Sequence, residues 1–135
     1  MPELIVALLT WVSVNTAYNT DLPQPNVVMT TIHNMCQLYG IEDMPRCDSS
    51  GLKGFYNKDI TIYLGTDFDI DDPHHVSRLL HELVHYVQYK NGEHEHTCLG
   101  HMELEAYDLQ DNWRRTQGLE PILAAFNRLM LQASC

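Results

Sequence analysis

The segment His81-Glu82-Leu83-Val84-His85 is an HExxH sequence, and on a helix it sets two imidazoles one turn apart with a carboxylate between them. That arrangement suits zinc. Both His act as ligands, and the Glu, held off the metal, takes a proton from a zinc-bound water as it attacks a carbonyl. In a chain of 135 residues with 8 His, the pattern is expected roughly 0.03 times by chance, so its surroundings decide its weight.

The surroundings are those of an amphipathic helix. Asp71-Asp72-Pro73 is a helix start, with an acidic N-cap and proline at the first helical position, and Asn91-Gly92 is a stop. Between them Val76, Leu79, Leu80, Leu83, Val84 and Val87 recur at three and four and make a core-facing stripe. His81, His85 and Gln88 fall on a neighbouring stripe, at the edge of the core, where they can line a cleft.

A third protein ligand is then required. The metzincin extension needs Gly at 88 and His at 91; the chain has Gln88 and Asn91, so that class is excluded. Downstream, Glu103-Leu104-Glu105-Ala106-Tyr107-Asp108 lies in a second helical pattern. This segment resembles the gluzincins, zinc peptidases whose third ligand is a Glu on a later helix, read as ExxA followed by a polar residue. Aligning Ala106 to that alanine implies Glu103 as the ligand, with Glu105 the competing candidate. Tyr107 stands where the family often carries an acidic or amide residue. Over roughly residues 50 to 118, a Gly-Phe-Tyr turn, an Ile-Tyr-Leu strand, HELVHxxQ and ExEAYxLQxxW are similar to a group of small metallopeptidase-like domains and to the layout of the minigluzincins. The resemblance implies a zincin-like fold that binds Zn2+ and leaves the substrate open.

At 135 residues with 44% hydrophobic content, one domain, residues 1–135, is expected, with enough chain to bury a core. The balance of 8 basic to 18 acidic residues, net −10, disfavours nucleic acid and anionic membrane as partners. A neutral or cationic peptide or protein substrate is easier to reconcile with it. No run reaches the roughly 18 apolar residues needed to span a membrane. Residues 1–14 are apolar but carry Glu3 and no basic n-region, so they do not read as a signal peptide. A secreted or periplasmic location would follow if a signal had been removed; otherwise a cytoplasmic one is expected.

Cys36, Cys47, Cys98 and Cys135 form no CxxC pair and are spread like disulfide partners. Cys36 with Cys47 is the expected bridge, closing a polar, Pro-containing loop; four reduced thiols are the alternative. A terminal thiolate from Cys135 blocking the metal is a further reading.

The remaining periodicities predict a mostly helical α+β fold with one small sheet. Pro2 to Asn15 places Ile5, Leu8, Leu9 and Val12 at helical spacing. Val27-Val28-Met29 is a short strand, and Thr30 or Thr31 caps a helix through Tyr39 that Gly40 ends. Residues 41–53 are a loop by composition. Gly54 to Leu64 is a hairpin, with Ile60, Ile62 and Leu64 on one face; in a zincin-like fold the second strand is the expected edge along which an extended peptide pairs, and an ordinary core strand whose edge is covered is the alternative. Asp67 to Asp71 is a solvated turn, since Asp72 and Arg78 stand where a calcium loop needs Gly and Glu. Cys98 to Gln117 is the second long helix, with Met102, Leu109 and Trp113 in the core. A last helix is expected from Glu120-Pro121 to Gln132, burying Ile122, Leu123, Phe126, Leu129 and Met130.

The function these features point to is zinc-dependent peptide hydrolysis. His81, His85 and Glu103 hold the metal and Glu82 is the general base. Tyr107 and His101 are candidates for transition-state contacts, and His94, His96 and His101 form a local cluster of metal-capable side chains. Two alternatives use the same residues: a zinc-stabilised binding domain without turnover, and a metal-dependent hydrolase of a non-peptide amide or ester.

Overall fold

The computed structural model describes residues 1–49, 54–57 and 61–135. In chain order the elements are α1 (Pro2–Asn15), β1 (Asn26–Thr30), α2 (Ile32–Tyr39), α3 (Met44–Ser49), β2 (Gly54–Asn57), β3 (Thr61–Gly65), α4 (Pro73–Lys90), a 3-10 turn (Glu93–Glu95), α5 (Leu99–Thr116) and α6 (Ala125–Ala133). This is the mostly helical α+β arrangement that the periodicities require.

α4 carries the core. Asp72 caps it by accepting the His74 N–H at 2.9 Å, and Pro73 occupies the first turn, where a missing N–H costs nothing. Its Val76, Leu79, Leu80, Leu83, Val84 and Val87 are all buried. They meet Ile5, Leu8, Leu9 and Val12 of α1, Ile62 and Leu64 of β3, and Ala106, Leu109 and Trp113 of α5 in one apolar cluster. Each such side chain removed from water contributes about 1.5–3 kcal/mol, so the helix bearing HExxH is held on several sides.

The sheet order is β1-β3-β2. β1 runs parallel to β3, with Val27 opposite Ile62, and β2 runs antiparallel to it, with Gly54 opposite Leu64. β3 is therefore the central strand, not the edge expected from its place before α4, because Asn26–Thr30 pairs along its other side. The edges are β1 and β2. Ile62 and Leu64 face the core as the alternation requires; Ile60 and the hairpin turn lie outside the described residues.

Two further expectations are corrected. Within the stretch read as a loop, Met44–Ser49 is helical, because Cys47 is fully buried and bonded to Cys36, a tertiary constraint that composition does not carry; residues 50–53 lie outside the described residues. The last helix begins at Ala125, not at Pro121, and buries no residue. Ile122, Phe126, Leu129 and Met130 are all exposed, since backbone N–H groups at 122 and 123 are drawn out of a helix by Asp111. α2, by contrast, starts and stops where its caps stand, with Thr31 accepting the Asn34 N–H and Gly40 at φ 100°.

Both cysteine pairs are bonded, Cys36 to Cys47 and Cys98 to Cys135. This excludes the reduced-thiol reading and the blocking thiolate at Cys135. Removing the first bridge in a Cys36→Ser/Cys47→Ser variant, which opens a loop of sequence separation 11, is expected to lower the unfolding free energy by about 3 kcal/mol, read from the urea midpoint.

Candidate metal centre

Two polar stripes at helical spacing face each other across the α4–α5 contact. Ser77, His81, His85 and Gln88 lie on α4; Glu103, Tyr107, Gln110 and Arg114 lie on α5. Their convergence brings His81 Nε2 to 3.1 Å from His85 Nε2 and to 3.3 Å from Glu103 Oε1, while His85 Nε2 is in still closer contact with the same carboxylate oxygen. Glu103 thus meets both imidazoles. Glu105 points elsewhere, accepting the Tyr18 hydroxyl at 2.5 Å and the Gln88 amide at 2.9 Å.

The tautomer of each ring follows from what holds it. The Met102 carbonyl can only accept, so the Gln88 atom 3.0 Å from it is the amide nitrogen, and the Gln88 oxygen faces His85 Nδ1 at 2.8 Å. His85 Nδ1 therefore carries a proton. For His81, the Ser77 hydroxyl gives its proton to the His74 carbonyl and accepts from Arg114, which can only donate. The Gln110 group 3.2 Å from that hydroxyl must then be its NH2, and its oxygen accepts from His81 Nδ1 at 3.0 Å. With both Nδ1 atoms protonated, neutral rings turn two Nε2 lone pairs and a carboxylate oxygen toward one point. Three acceptors at that spacing repel unless a cation stands among them.

That is the chemistry of a divalent-metal donor set: two imidazole nitrogens and a carboxylate oxygen, each ring steered by a second hydrogen bond. These three ligand atoms lie within 4.8 Å of one another. Without a metal, protons do part of the work. Burial opposes charge on His85, but its hydrogen bond to Glu103 and the charges of Glu82 and Glu103 outweigh it and raise its pKa. Burial likewise raises the Glu103 carboxyl, and the hydrogen bonds and charges of the two imidazoles reverse this and hold it well below the usual carboxylate range.

Glu82, between His81 and His85 in the chain, is half-buried, and its charge reaches both His85 and Tyr107. It lies against the sheet edge: a Cβ placed on Gly54 of β2 would be 3.9 Å from Glu82 Cγ. Tyr107 stacks beside His81, ring centroids 4.5 Å apart. Burial first, then the charges of Glu103 and Glu82, raise its pKa, so it stays a neutral phenol. His101 is not in this group. It is exposed, pairs with Thr97 at 3.3 Å and lies beside Cys98 and Cys135; two residues before Glu103 on a helix is nearly the opposite face. The cluster of three His disperses, with His94 against the Tyr89 ring and His96 exposed.

Among the described residues two other groups could bring three donor atoms together, Cys98 with His101 and Cys135, and His33 with Cys47 and Asp48. In both, the thiols are consumed by disulfides. Sequence reading missed Ser77, Gln110 and Arg114. The signal was present as the polar stripe 103-107-110-114, at spacings of four, three and four, matching the stripe on the HExxH helix.

A protein-family model described as "Domain of unknown function (DUF6647)" matches residues 1–135. No curated protein and no solved structure matches the chain.

Replacing Gln88 by Leu is expected to cost the metal-free protein about 1–3 kcal/mol, because the near-isosteric side chain leaves the buried His85 Nδ1–H without its acceptor. Urea unfolding followed by Trp fluorescence measures this directly.

Proposed function

We propose that this chain, which belongs to the DUF6647 family, is a zinc-dependent metallopeptidase with a zincin-like, gluzincin-type arrangement of its metal helix and Glu helix. One observation carries the reading: His81, His85 and Glu103 aim three electron-pair donors at one point, with both rings locked in the tautomer that a metal needs. A purely structural pairing of these groups has no use for Glu82 between the two His.

His81, His85 and Glu103 would hold zinc, which would supply a water of lowered pKa and polarisation of a carbonyl oxygen. Glu82 accepts the proton of the attacking water and passes it to the leaving amine. Tyr107, kept protonated by burial and by two neighbouring carboxylates, donates a hydrogen bond to the oxygen that gains charge. His101, exposed and paired with Thr97 away from the three donor atoms, has no part in this scheme. Gln88 and Gln110 orient the ligands, and Glu105 and Tyr18 hold Gln88 in turn. An extended peptide pairs with the β2 edge, which brings its backbone past Glu82. The net charge of −10 favours neutral or basic peptides, and two disulfides suit an oxidising compartment, secreted or periplasmic.

Metal analysis beside hydrolysis of a mixed peptide library tests this. Wild type is expected to hold about one zinc per chain and Glu103→Ala to lose it. Glu105→Ala should keep the metal with an affinity reduced roughly 10–100-fold. Glu82→Gln should retain zinc while cleavage falls by about 10²–10⁴. Zinc uptake with no peptide cleaved by wild type would move the binding-domain and non-peptide hydrolase readings ahead, and a wild type that takes up no metal would sink all three.

A further inference from the structure

A cleft of about 300 Å³ opens beside the metal centre, starting at Glu103 and Tyr107 of α5. Its far wall is the chain after α5: Ile122 and Leu123 from the extended segment, Met130 and Leu131 from α6. This volume is at the bottom of the range for ligand pockets and gives ample room for one large side chain. We propose that this cleft selects the residue flanking the scissile bond, and that it takes a bulky apolar side chain of the size of Leu, Met or Phe. The inference rests on the peptidase reading, because the occupant is placed by its neighbour at the metal.

Three observations support it. The wall is built without the usual reason for a helix to stay put, since α6 buries none of its own residues. It is fixed by polar and covalent ties instead. Asp111, itself 5% exposed, accepts the N–H groups of Ile122 at 2.8 Å and Leu123 at 3.2 Å, and Arg114 donates to the Glu120 carbonyl at 2.8 Å. Arg128 forks onto Asp108, and Cys135 is bonded to Cys98 at the start of α5. Gly100 lets the end of α6 close in, because a Cβ there would be 2.7 Å from the Leu131 carbonyl oxygen.

The ties leave apolar side chains toward the cleft only half covered, Ile122 at 46% and Met130 at 55% exposed. Apolar surface held in place beside a reaction centre gains most when an apolar group covers it. Finally, the polar and apolar ends are segregated. Glu103 and Tyr107 stand at one end and aliphatic groups at the other, with Asn127 the one further polar side chain lining the cleft. An occupant must present a polarisable backbone at the first end and an apolar side chain at the second, which is what a peptide residue offers and an acidic side chain does not.

The test uses the zinc-loaded full chain and a set of hydroxamates, whose binding needs the metal but no turnover. Leucine hydroxamate is expected to bind at least ten-fold tighter than serine hydroxamate, a polar probe of the same charge, and to shift the Met130 methyl resonance. Met130→Asp and Leu123→Asp should abolish that preference while leaving acetohydroxamate, which reaches only the metal, unchanged. Phe126→Asp, on the outward face of α6 at 69% exposure, should keep it. Equal binding of the leucine and serine probes to wild type would overturn the pocket assignment and leave the metal centre standing. So would loss of the preference in Phe126→Asp to the same degree as in Met130→Asp. If acetohydroxamate does not bind the zinc-treated chain, the metal reading fails and the assignment falls with it.

Discussion

Two imidazole nitrogens and a carboxylate oxygen, all electron-pair donors, are forced to within hydrogen-bonding distance of one another inside a helix pair. This crowding is unfavourable in itself, and much of the polar interior exists to impose it. Gln88 and Gln110 each present an oxygen to one ring, and neither can rotate, because its nitrogen is committed to the Met102 carbonyl or to the Ser77 hydroxyl. The Ser77 hydroxyl is fixed in turn by Arg114 and by the carbonyl of His74. Arg114, at 5% exposure, is a buried cation whose hydrogen bonds join the first turn of α4, the end of α5 and the segment that follows it. Buried polar networks of this kind are costly when one member is missing, and among the described residues no buried side-chain polar atom lacks a partner.

The same network explains how the fold serves the site. α4 is clamped by apolar contact on the stripe Val76-Leu79-Leu80-Leu83-Val84-Val87, and the adjoining stripe is therefore held at fixed rotation against α5. Tyr18, in the chain after α1, reaches across to Glu105. So the N-terminal helix, which buries Ile5, Leu8, Leu9 and Val12 in the core, also positions a hydroxyl three hydrogen bonds from His85, through Glu105 and Gln88. Burial raises the Tyr18 pKa, helped by its hydrogen bond to Glu105, so that hydroxyl remains a donor.

What could be read from the sequence was what local chemistry determines. The boundaries of α1, the caps of α2, the span of α4 and the buried faces of α1, α4 and β3 follow from proline, threonine and glycine placement and from periodicity. Glu103 against Glu105 was undecided by spacing, and the helix register settles which of them meets the imidazoles. The failures share a cause. α3 forms where a disulfide holds Cys47 inside, β3 is central because a strand over thirty residues earlier pairs with it, and Pro121 does not start a helix because Asp111 captures the next two N–H groups. Each is decided by a distant partner that a local window cannot contain.

The two sides of the cleft differ in how firmly they are anchored. α4 is fully packed, and opening its backbone hydrogen bonds requires disrupting the apolar cluster, so its amides belong with the slowest-exchanging in the chain. The segment from Glu120 to Ala133 has no buried side chain of its own and hangs on hydrogen bonds, an ion pair and a staple at its far end. Opening that segment means breaking those ties but not the apolar cluster, and none of the three convergent donor atoms lies on it. The molecule thus divides into a back wall held by apolar packing, which carries His81 and His85, and a front wall held by polar and covalent ties, so that different solvent conditions, salt and reductant on one side and denaturant on the other, would loosen the two walls separately.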